Sequence, residues 1–284
     1  MTERVFIVGP GHVGRGLFRA FRASEVEIVG LHGKRSSGMV TSSGALPVEM
    51  AGANVVIVCV RDPQLDETME EVMAAAKSGL VQRGTVILHT SAIGEPEGLR
   101  ALSDAGFPGG TFHPLVPFSD PEVAAELLRK GWIGIDGENA ARSTSRRLAG
   151  HLGARTLDIP PGKKPAYHAA AVISSNFPVV LASVAGHLMH DIGISDASAY
   201  QAVESLMSGA LANMKHALPD DALTGPVVRG DADTVGKHLR ALKGQDRALE
   251  VYRALSAAAI EIAQRRGTDP KKLAVVGGIL RSSK

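Results

Sequence analysis

The sequence predicts an α/β domain with a mostly parallel, doubly wound sheet over residues 1–157, followed by an all-α domain over residues 158–284. In the first half, short runs of β-branched residues alternate with helical patterns, which is typical of crossover units that cover a parallel sheet on both faces. After the Pro- and Gly-rich segment at 158–165, Ala-rich helical patterns follow one another without a strand signal. These observations place the domain boundary near residue 157.

The individual elements follow from the same patterns. Short apolar runs predict strands at 4–8, 26–31, 55–60, 85–89, 110–112 and 132–135. Helices are predicted between them at 13–23, 65–78, 96–105, 121–129 and 139–152. The second half is predicted to contain helices at 166–191, 196–217, 231–241, 244–266 and 270–280.

The composition is that of a globular protein with a substantial core. Hydrophobic residues make up 44% of the 284 residues and charged residues 21%, which excludes a disordered chain. The 31 basic and 29 acidic residues leave a net charge of only +2. Because phosphate backbones are bound by clustered Lys and Arg, we expect no nucleic-acid partner.

The single cysteine and the N-terminal sequence indicate a cytoplasmic protein. Cys59 lies in the apolar run 55–60, so we expect a buried strand residue rather than a nucleophile. One cysteine excludes an intramolecular disulfide and fits a reducing compartment. No signal-peptide pattern precedes the first strand, and polar residues such as His168 and Asn176 interrupt the apolar stretch at 168–189. We therefore expect no membrane span.

Residues 9–14, with the sequence GPGHVG, have the spacing G-x-G-x-x-G between the first strand and the first helix. In that context the spacing is typical of a dinucleotide-binding Rossmann domain. Gly9 permits the tight turn, Gly11 lets the backbone approach a pyrophosphate, and Gly14 lets the helix pack close to the strand. The helix N-terminus would then attract the phosphates. The cofactor-binding residues predicted here are Gly9, Pro10, Gly11, His12, Val13 and Gly14.

The end of the second strand predicts NADP rather than NAD. NAD sites usually place Asp or Glu there to bind the ribose hydroxyls. This chain instead has Lys34, Arg35 and Ser36, and no local carboxylate that would repel a 2′-phosphate. A solvated basic turn is the structural alternative. The cofactor F420 is a further alternative, since some proteins of similar plan use it.

Two other strand ends are expected to line the nicotinamide pocket, because ligands collect beyond the carboxyl ends of parallel strands. The residues concerned are Val60, Arg61, Asp62 and Ser91. Asp62, which precedes a proline, is equally suited to cap a helix, and the two roles are compatible. His89, at the end of its strand, is expected to hydrogen-bond a neighbouring loop.

Several short segments carry a family resemblance. They are HTS at 89–91, TFHPL at 111–115, YHAAA at 167–171, SSN at 174–176 and TGPVVRGD at 224–231. Together they resemble the Rossmann-like proteins with a domain of unknown function called DUF2520, over nearly the whole chain. That family is described as NADP-binding and oxidoreductase-like, and is similar in plan to pyrroline-5-carboxylate reductase, ketopantoate reductase and the 6-phosphogluconate and β-hydroxyacid dehydrogenases. The resemblance implies a helical domain that binds substrate and forms a homodimer.

The resemblance does not supply a catalytic pair. The β-hydroxyacid dehydrogenases use a Lys with an Asn four positions later on the interdomain helix. Here the lysines nearest to Asn176 are Lys163 and Lys164, at least twelve residues earlier. That pair therefore cannot be transferred to this sequence.

The helix predicted at 166–191 carries the catalytic candidates. His168, Ser175 and Asn176 stand at i, i+7 and i+8 and so project from one face. We expect His168 to be the acid/base, since the ordinary pKa of histidine is about 6.5, with Asn176 and Ser175 orienting the substrate. Alternatively, His168 only hydrogen-bonds across the domain interface. Lys164 would join that face if the helix began early enough, which Pro165 disfavours.

Two further residues are predicted to contact substrate. His113 follows the strand at 110–112 and either binds substrate or shapes the loop with the following proline. Arg229 offers a planar fork for a carboxylate of a substrate or partner subunit, or pairs with an acid such as Asp231. Asp231 is also suited to cap the helix from 232 onward. His187 and His190 lack further ligands at suitable spacing, so no metal is predicted. No G-x-S-x-G motif is present to indicate a hydrolase.

The sequence thus predicts an NADP(H)-dependent oxidoreductase that acts on a small C=O or C=N substrate in the interdomain cleft. One alternative is a reductase of the pyrroline-carboxylate or imine type. The other is a non-catalytic NADP-binding regulatory protein. The expected partners are a small-molecule substrate and a second copy of the chain, with no nucleic acid and no membrane.

Overall fold

The strands of the first half form one eight-stranded sheet in the computed structural model, which describes residues 2–36, 38–95 and 98–282. In chain order the strands are β1 (Arg4–Val8), β2 (Glu27–Gly33), β3 (Ser42–Ser43), β4 (Val55–Val58), β5 (Val86–His89), β6 (Gly109–Pro114), β7 (Trp132–Gly137) and β8 (Arg155–Asp158). Their spatial order is β3-β2-β1-β4-β5-β6-β7-β8, and only β6 and β7 pair antiparallel. The predicted mostly parallel sheet is confirmed.

Helices cover both faces of this sheet. They are α1 (His12–Arg22), α2 (Leu65–Lys77), α3 (Gly98–Asp104), α4 (Pro121–Leu128) and α5 (Asn139–His151), with 3₁₀ turns at Val48–Gly52 and Asp62–Gln64. Side chains of β1 alternate between two cores: Ile7 packs with Leu17 on one face, and Phe6 packs with Met69 on the other. Residues 96 and 97, with which the helix predicted at 96–105 begins, lie outside the described residues.

Two strands escaped sequence analysis. No strand was predicted at Arg155–Asp158, ahead of the linker expected at 158–165, yet these residues form β8 at the sheet edge, parallel to β7. Three of the four β8 residues are exposed, so they lack the apolar run by which the other strands were predicted. The two-residue strand β3 is likewise too short to give a pattern.

The second half is helical, as predicted, and no strand follows β8 within the described part of the chain. Its helices are α6 (Lys164–Asp191), α7 (Asp196–Asn213), α8 (Pro219–Ala222), α9 (Pro226–Arg229), α10 (Ala232–Ala241), α11 (Asp246–Arg265) and α12 (Pro270–Ser282). A small core joins α9, α10 and α12 through Val227, Val235, Leu239 and Val276. Asp231 caps α10 by accepting a hydrogen bond from the Thr234 amide at 3.0 Å, which confirms the predicted cap.

The chain divides into two compact units, Met1–Ser175 and Asn176–Lys284, with the division inside α6. The predicted boundary at 157/158 lies earlier, at the end of the sheet. The difference arises because the first turns of α6 contact the sheet domain: Tyr167 hydrogen-bonds His113, and Lys164 lies beside Asp136.

Helix α6 is a long apolar helix of 28 residues. It is long and apolar enough to cross a membrane by length and composition alone, with a window of mean hydropathy 1.6. A single helix of this kind is weak support for a membrane span, because helices of other proteins pass the same criterion. The predicted interruption by polar residues therefore does not prevent α6 from meeting that criterion.

Candidate functional site

A cavity of about 780 Å³ lies at the carboxyl ends of β1, β4 and β5, where the strand order reverses. In open parallel sheets this reversal point is where ligands bind. The predicted cofactor-binding residues that line it are Gly9, Pro10, Gly11, His12, Val13, Lys34, Val60, Arg61, Asp62 and Ser91. His113 and His168 line the same cavity, so the structure brings a glycine loop and two imidazoles together within the first unit.

The glycine loop requires glycine at its first and last positions. Gly9 has φ of +109°, and a Cβ there would lie 2.5 Å from the carbonyl oxygen of Cys59. A Cβ on Gly14 would overlap the carbonyl oxygen of Gly9. Gly14 does not line the cavity. Its missing side chain instead lets α1 start close against the loop. The Gly9 amide donates to the carbonyl of His32 at 2.9 Å and so ties the loop to β2.

The start of α1 suits an anionic group. Gly11 occupies the N-cap position, no described side chain caps the helix, and its first turn has no acidic residue. The first amides of a helix have no partner within the helix and carry its positive dipole end. A Cβ on Gly11 would meet nothing nearer than the Cys59 carbonyl oxygen at 4.0 Å, so the loop leaves open space beside these amides. The residues present therefore fit the pyrophosphate of a dinucleotide.

Lys34 has carboxylate partners that the local sequence did not reveal. Its ammonium lies 2.7 Å from Glu67 and 3.2 Å from Glu71, both on α2, and these hydrogen bonds raise the pKa of Lys34. Glu71 also lines the cavity. The prediction that no carboxylate lies near the 2′-phosphate position is therefore wrong, because α2 brings Glu67 and Glu71 to Lys34. Arg35 and Ser36 are exposed and do not line the cavity.

The segment after β4 contributes lining residues, but not the predicted cap. Arg61 holds the N-cap position of the turn Asp62–Gln64, and no described side chain caps that turn, so the capping role of Asp62 is wrong. Cys59 is buried, and burial raises its pKa to about 12. This value agrees with the expectation of an unreactive thiol. The reactive form of cysteine is the thiolate, and a raised pKa keeps the thiol protonated.

His113 and His168 form a pair at the cavity. Their ring centroids lie 6.2 Å apart at an interplanar angle of 80°. Burial and, to a lesser degree, nearby His168 lower the pKa of His113 to about 4, and Asp62 opposes the shift. The buried Nδ1 of His168 has no hydrogen-bond partner among the described residues. Nδ1 of His168 is therefore an unsatisfied polar atom among the described residues, and His113 is neutral at neutral pH.

Tyr167 is a site residue that sequence analysis did not single out. Its hydroxyl lies 2.8 Å from Nδ1 of His113 and against β7, where a Cβ on Gly134 would overlap it. Tyr167 does not line the cavity. Successive residues of a helix project about 100° apart, so Tyr167 can face the sheet while His168 faces the cavity. The position of Tyr167 directly before His168 on this helix is the sequence signal that would have identified Tyr167.

Lys164 begins α6, which the sequence argued against. Pro165 lies in the first helical turn, where its missing amide is not needed. The side chain of Lys164 is only 4% exposed, and its ammonium lies 3.4 Å from the Asp136 carboxylate and donates to the Gly94 carbonyl at 3.3 Å. Lys164 thus anchors the loop after β5 to β7.

His89 bonds a neighbouring strand rather than the predicted loop. Its Nε2 lies 3.2 Å from the hydroxyl of Thr111 on β6, and its side chain is fully buried. Burial, with a smaller effect of Lys164, lowers the pKa of His89 to about 3. His89 is therefore a neutral residue of the sheet interior.

Three residues predicted to take part in catalysis or substrate binding do not line the cavity. Ser175 and Asn176 lie two helical turns beyond His168 on an exposed part of α6, and Ser175 donates to the carbonyl of Ala171. Arg229 ends α9 in the second unit and is exposed. Their roles in substrate binding stay predictions. Within the described residues, no cluster of three metal-ligating side chains occurs.

The sheet order and the glycine loop define a Rossmann-like protein. Residues 132–259 match the family described as "Domain of unknown function (DUF2520)", which confirms the family resemblance. The segments at 167–171, 174–176 and 224–231 lie within this match, and those at 89–91 and 111–115 precede it. No curated protein matches the chain.

Solved structures share the fold. BF3122 from Bacteroides fragilis, a proposed NADP oxidoreductase, is 18% identical with a TM-score of 0.70, covering 91% of this chain and 98% of its own. TM1727 from Thermotoga maritima is 22% identical with a TM-score of 0.70, at coverages of 92% and 99%. Pyrroline carboxylate reductase from Plasmodium falciparum, solved with NADP bound, is 11% identical with a TM-score of 0.60, at 97% and 100%. At these identities the likeness shows the fold alone.

Proposed function

We propose that the protein is an NADP(H)-dependent oxidoreductase that reduces a small C=O or C=N compound or catalyses the reverse reaction. The observation that carries the proposal is that the glycine loop and uncapped start of α1 line the same cavity as His113 and His168. A phosphate-binding loop beside two converging imidazoles is what a hydride-transfer site needs. The likeness to reductases, one of them solved with NADP, supports the same conclusion.

Bound NADPH would supply a hydride from its nicotinamide C4. In reduction, that hydride would bond to the carbon of the substrate double bond, whose π electrons would move to the oxygen or nitrogen, leaving NADP⁺. The protein must then place a proton on that heteroatom. We assign this proton transfer to His168, because this residue lines the cavity and its Nδ1 has no hydrogen-bond partner among the described residues.

Lys34 supports NADP over NAD as the cofactor. It is a cation that lines the cavity at the end of β2, where the ribose 2′-position lies in proteins of this fold. A 2′-phosphate would compete with Glu67 and Glu71 for its ammonium. Direct titration is expected to show tighter binding of NADPH than of NADH; equal or tighter binding of NADH contradicts the assignment.

Turnover is tested by following NADPH absorbance with a panel of ketoacids, ketones and cyclic imines. We expect at least one compound class to oxidise NADPH, and His168→Ala to lower kcat by about 100-fold or more, as loss of an acid/base group does. His190→Ala, on the same helix but absent from the cavity lining, is the control. Unchanged turnover in His168→Ala would remove this residue from the mechanism. If nothing oxidises NADPH, a non-catalytic nucleotide-binding protein replaces the proposal.

We further propose that a second copy of the chain packs on the exposed apolar side chains of α6. Ile173, Phe177 and Val180, at i, i+4 and i+7, form one stripe on which each side chain is at least 50% exposed. Large apolar patches on soluble proteins mark interfaces. Sedimentation equilibrium is expected to give a dimer that Phe177→Asp dissociates and Val275→Asp, an equally exposed site on α12, leaves intact. A monomeric wild type contradicts this.

A further inference from the structure

Two histidine–tyrosine pairs of nearly the same geometry occur within the described residues. Nδ1 of His113 lies 2.8 Å from the Tyr167 hydroxyl, with ring centroids 5.6 Å apart at 81°. Nδ1 of His238 lies 2.9 Å from the Tyr252 hydroxyl, with centroids 5.7 Å apart at 85°. Only His113 lines the cavity, whereas His238 is exposed on α10. The second pair is therefore a matched control for the first.

The hydrogen bond between Tyr167 and His113 has a defined direction. A neutral imidazole carries one N–H, and a phenol carries one O–H. The Tyr167 hydroxyl has no other hydrogen-bond partner among the described residues, so its proton is satisfied only by donation to Nδ1 of His113. The reverse direction would leave this half-buried proton without an acceptor. Donation by Tyr167 is therefore the favoured direction, and it leaves the proton of the His113 ring on Nε2.

His113 thereby presents an uncharged donor at the cavity. Burial keeps its pKa at about 4, so the ring stays neutral around pH 7 despite the opposing charge of Asp62. No other described residue hydrogen-bonds its ring. Since Nδ1 is occupied by Tyr167, Nε2–H is the donor left for a ligand. A neutral imidazole used in this way polarises a carbonyl group without protonating it.

We propose that the protein reduces carbonyl groups in preference to iminium groups, and that Tyr167 sets this preference by holding His113 as the tautomer with Nε2–H toward the substrate. This inference rests on the proposed reductase function and specifies its substrate class. A carbonyl oxygen has lone pairs that accept the Nε2–H bond. A protonated imine nitrogen has an N–H and no lone pair, so two donors would face each other.

The electron balance of the step is that of a carbonyl reduction. The hydride from NADPH bonds to the carbonyl carbon, the π electrons move to the oxygen, and the Nε2–H of His113 stabilises the developing negative charge. A proton from His168 then completes the alcohol, and NADP⁺ remains. His113 keeps its own proton throughout. Tyr167, which does not line the cavity, is a positioning residue that acts through His113.

The tautomer is tested without cofactor or substrate. Side-chain ¹⁵N spectra of histidine-labelled protein, with His113→Gln for assignment, are expected to show Nε2 protonated and Nδ1 as an acceptor for His113 near pH 7. Tyr167→Phe should change the His113 signals and leave His238 unchanged, and Tyr252→Phe should do the reverse. A His113 ring protonated at Nδ1, or on both nitrogens, near pH 7 overturns the proposal.

The substrate preference is tested by the ratio of kcat/KM for ketones or ketoacids to that for cyclic imines, with NADPH, at a pH at which the imine nitrogen is protonated. We expect the wild type to favour carbonyls by at least about tenfold, because a site built around a hydrogen bond rejects partners that cannot make it. Tyr167→Phe should reduce that ratio, and Tyr252→Phe should leave it unchanged. A preference for imines overturns the proposed substrate class. In that case the oxidation of NADPH still supports the reductase function. If no compound oxidises NADPH, the proposed reductase function is contradicted as well. The ¹⁵N spectra still show which nitrogen of His113 carries the proton.

Discussion

Gly11→Ala is expected to weaken NADPH binding by about 100-fold, equivalent to about 2.7 kcal/mol, and to leave the fold intact. The free protein tolerates the new methyl group, because the nearest heavy atom to a Cβ at this position is the Cys59 carbonyl oxygen at 4.0 Å. The backbone at Gly11, with φ of −70° and ψ of −174°, is extended and suits alanine. The methyl group would instead occupy space that a bound pyrophosphate needs at the start of α1. Fluorescence titration with NADPH measures the loss.

Gly14→Ala is the contrasting variant. Its Cβ would overlap the Gly9 carbonyl oxygen, so the loop or α1 must shift, and we expect a loss of stability of roughly 1–3 kcal/mol. Thermal melting separates the two cases: Gly11→Ala should melt like the wild type and bind poorly, and Gly14→Ala should melt earlier. Wild-type affinity for NADPH in Gly11→Ala would mean that no dinucleotide lies on this loop.

Lys34→Ala is expected to weaken binding of NADPH by about tenfold and to leave binding of NADH nearly unchanged, because only NADPH has a phosphate for the ammonium to pair with. Glu67→Gln removes a carboxylate that lies 2.7 Å from this ammonium, and so should tighten NADPH binding by a few-fold at low salt. Paired titrations of both cofactors measure the discrimination.

The control for the charge variants is Glu70→Gln, because Glu70 is an exposed residue of the same helix and forms no ion pair with Lys34. Since exposed charges are screened by salt, the effect of Glu67→Gln should shrink at high ionic strength. If Lys34→Ala weakens NADPH and NADH equally, Lys34 does not contact the 2′-phosphate, and the preference must come from elsewhere in the cavity.

The first strand, glycine loop and α1 could be predicted because their signals are local. A short apolar run, three glycines at fixed spacing and an amphipathic helix lie within about 20 residues. The same locality explains the missed elements. β8 is an exposed edge strand without an apolar run, and β3 has only two residues. Their pairing depends on the neighbouring strand rather than on their own sequence.

The site was predicted less fully because its decisive contacts are distant in sequence. Lys34 meets Glu67 across 33 residues, and His113 meets Tyr167 across 54. The sequence around Lys34 therefore shows no acidic residue near it, although α2 supplies two glutamates. The sequence also drew attention to His168 for its chemistry and gave no sign of Tyr167, although the hydrogen-bond partner of His113 is the tyrosine.

Gly134 has a consequence for how related sequences should be read. This residue touches no part of the cavity, yet its missing side chain makes the space in which the Tyr167 hydroxyl lies. A single methyl group at this position would displace the phenol and free the imidazole of His113 to exchange its proton between the two nitrogens. We therefore expect homologues with different substrate classes to differ at this position of β7. A comparison limited to residues that contact the ligand would miss the difference.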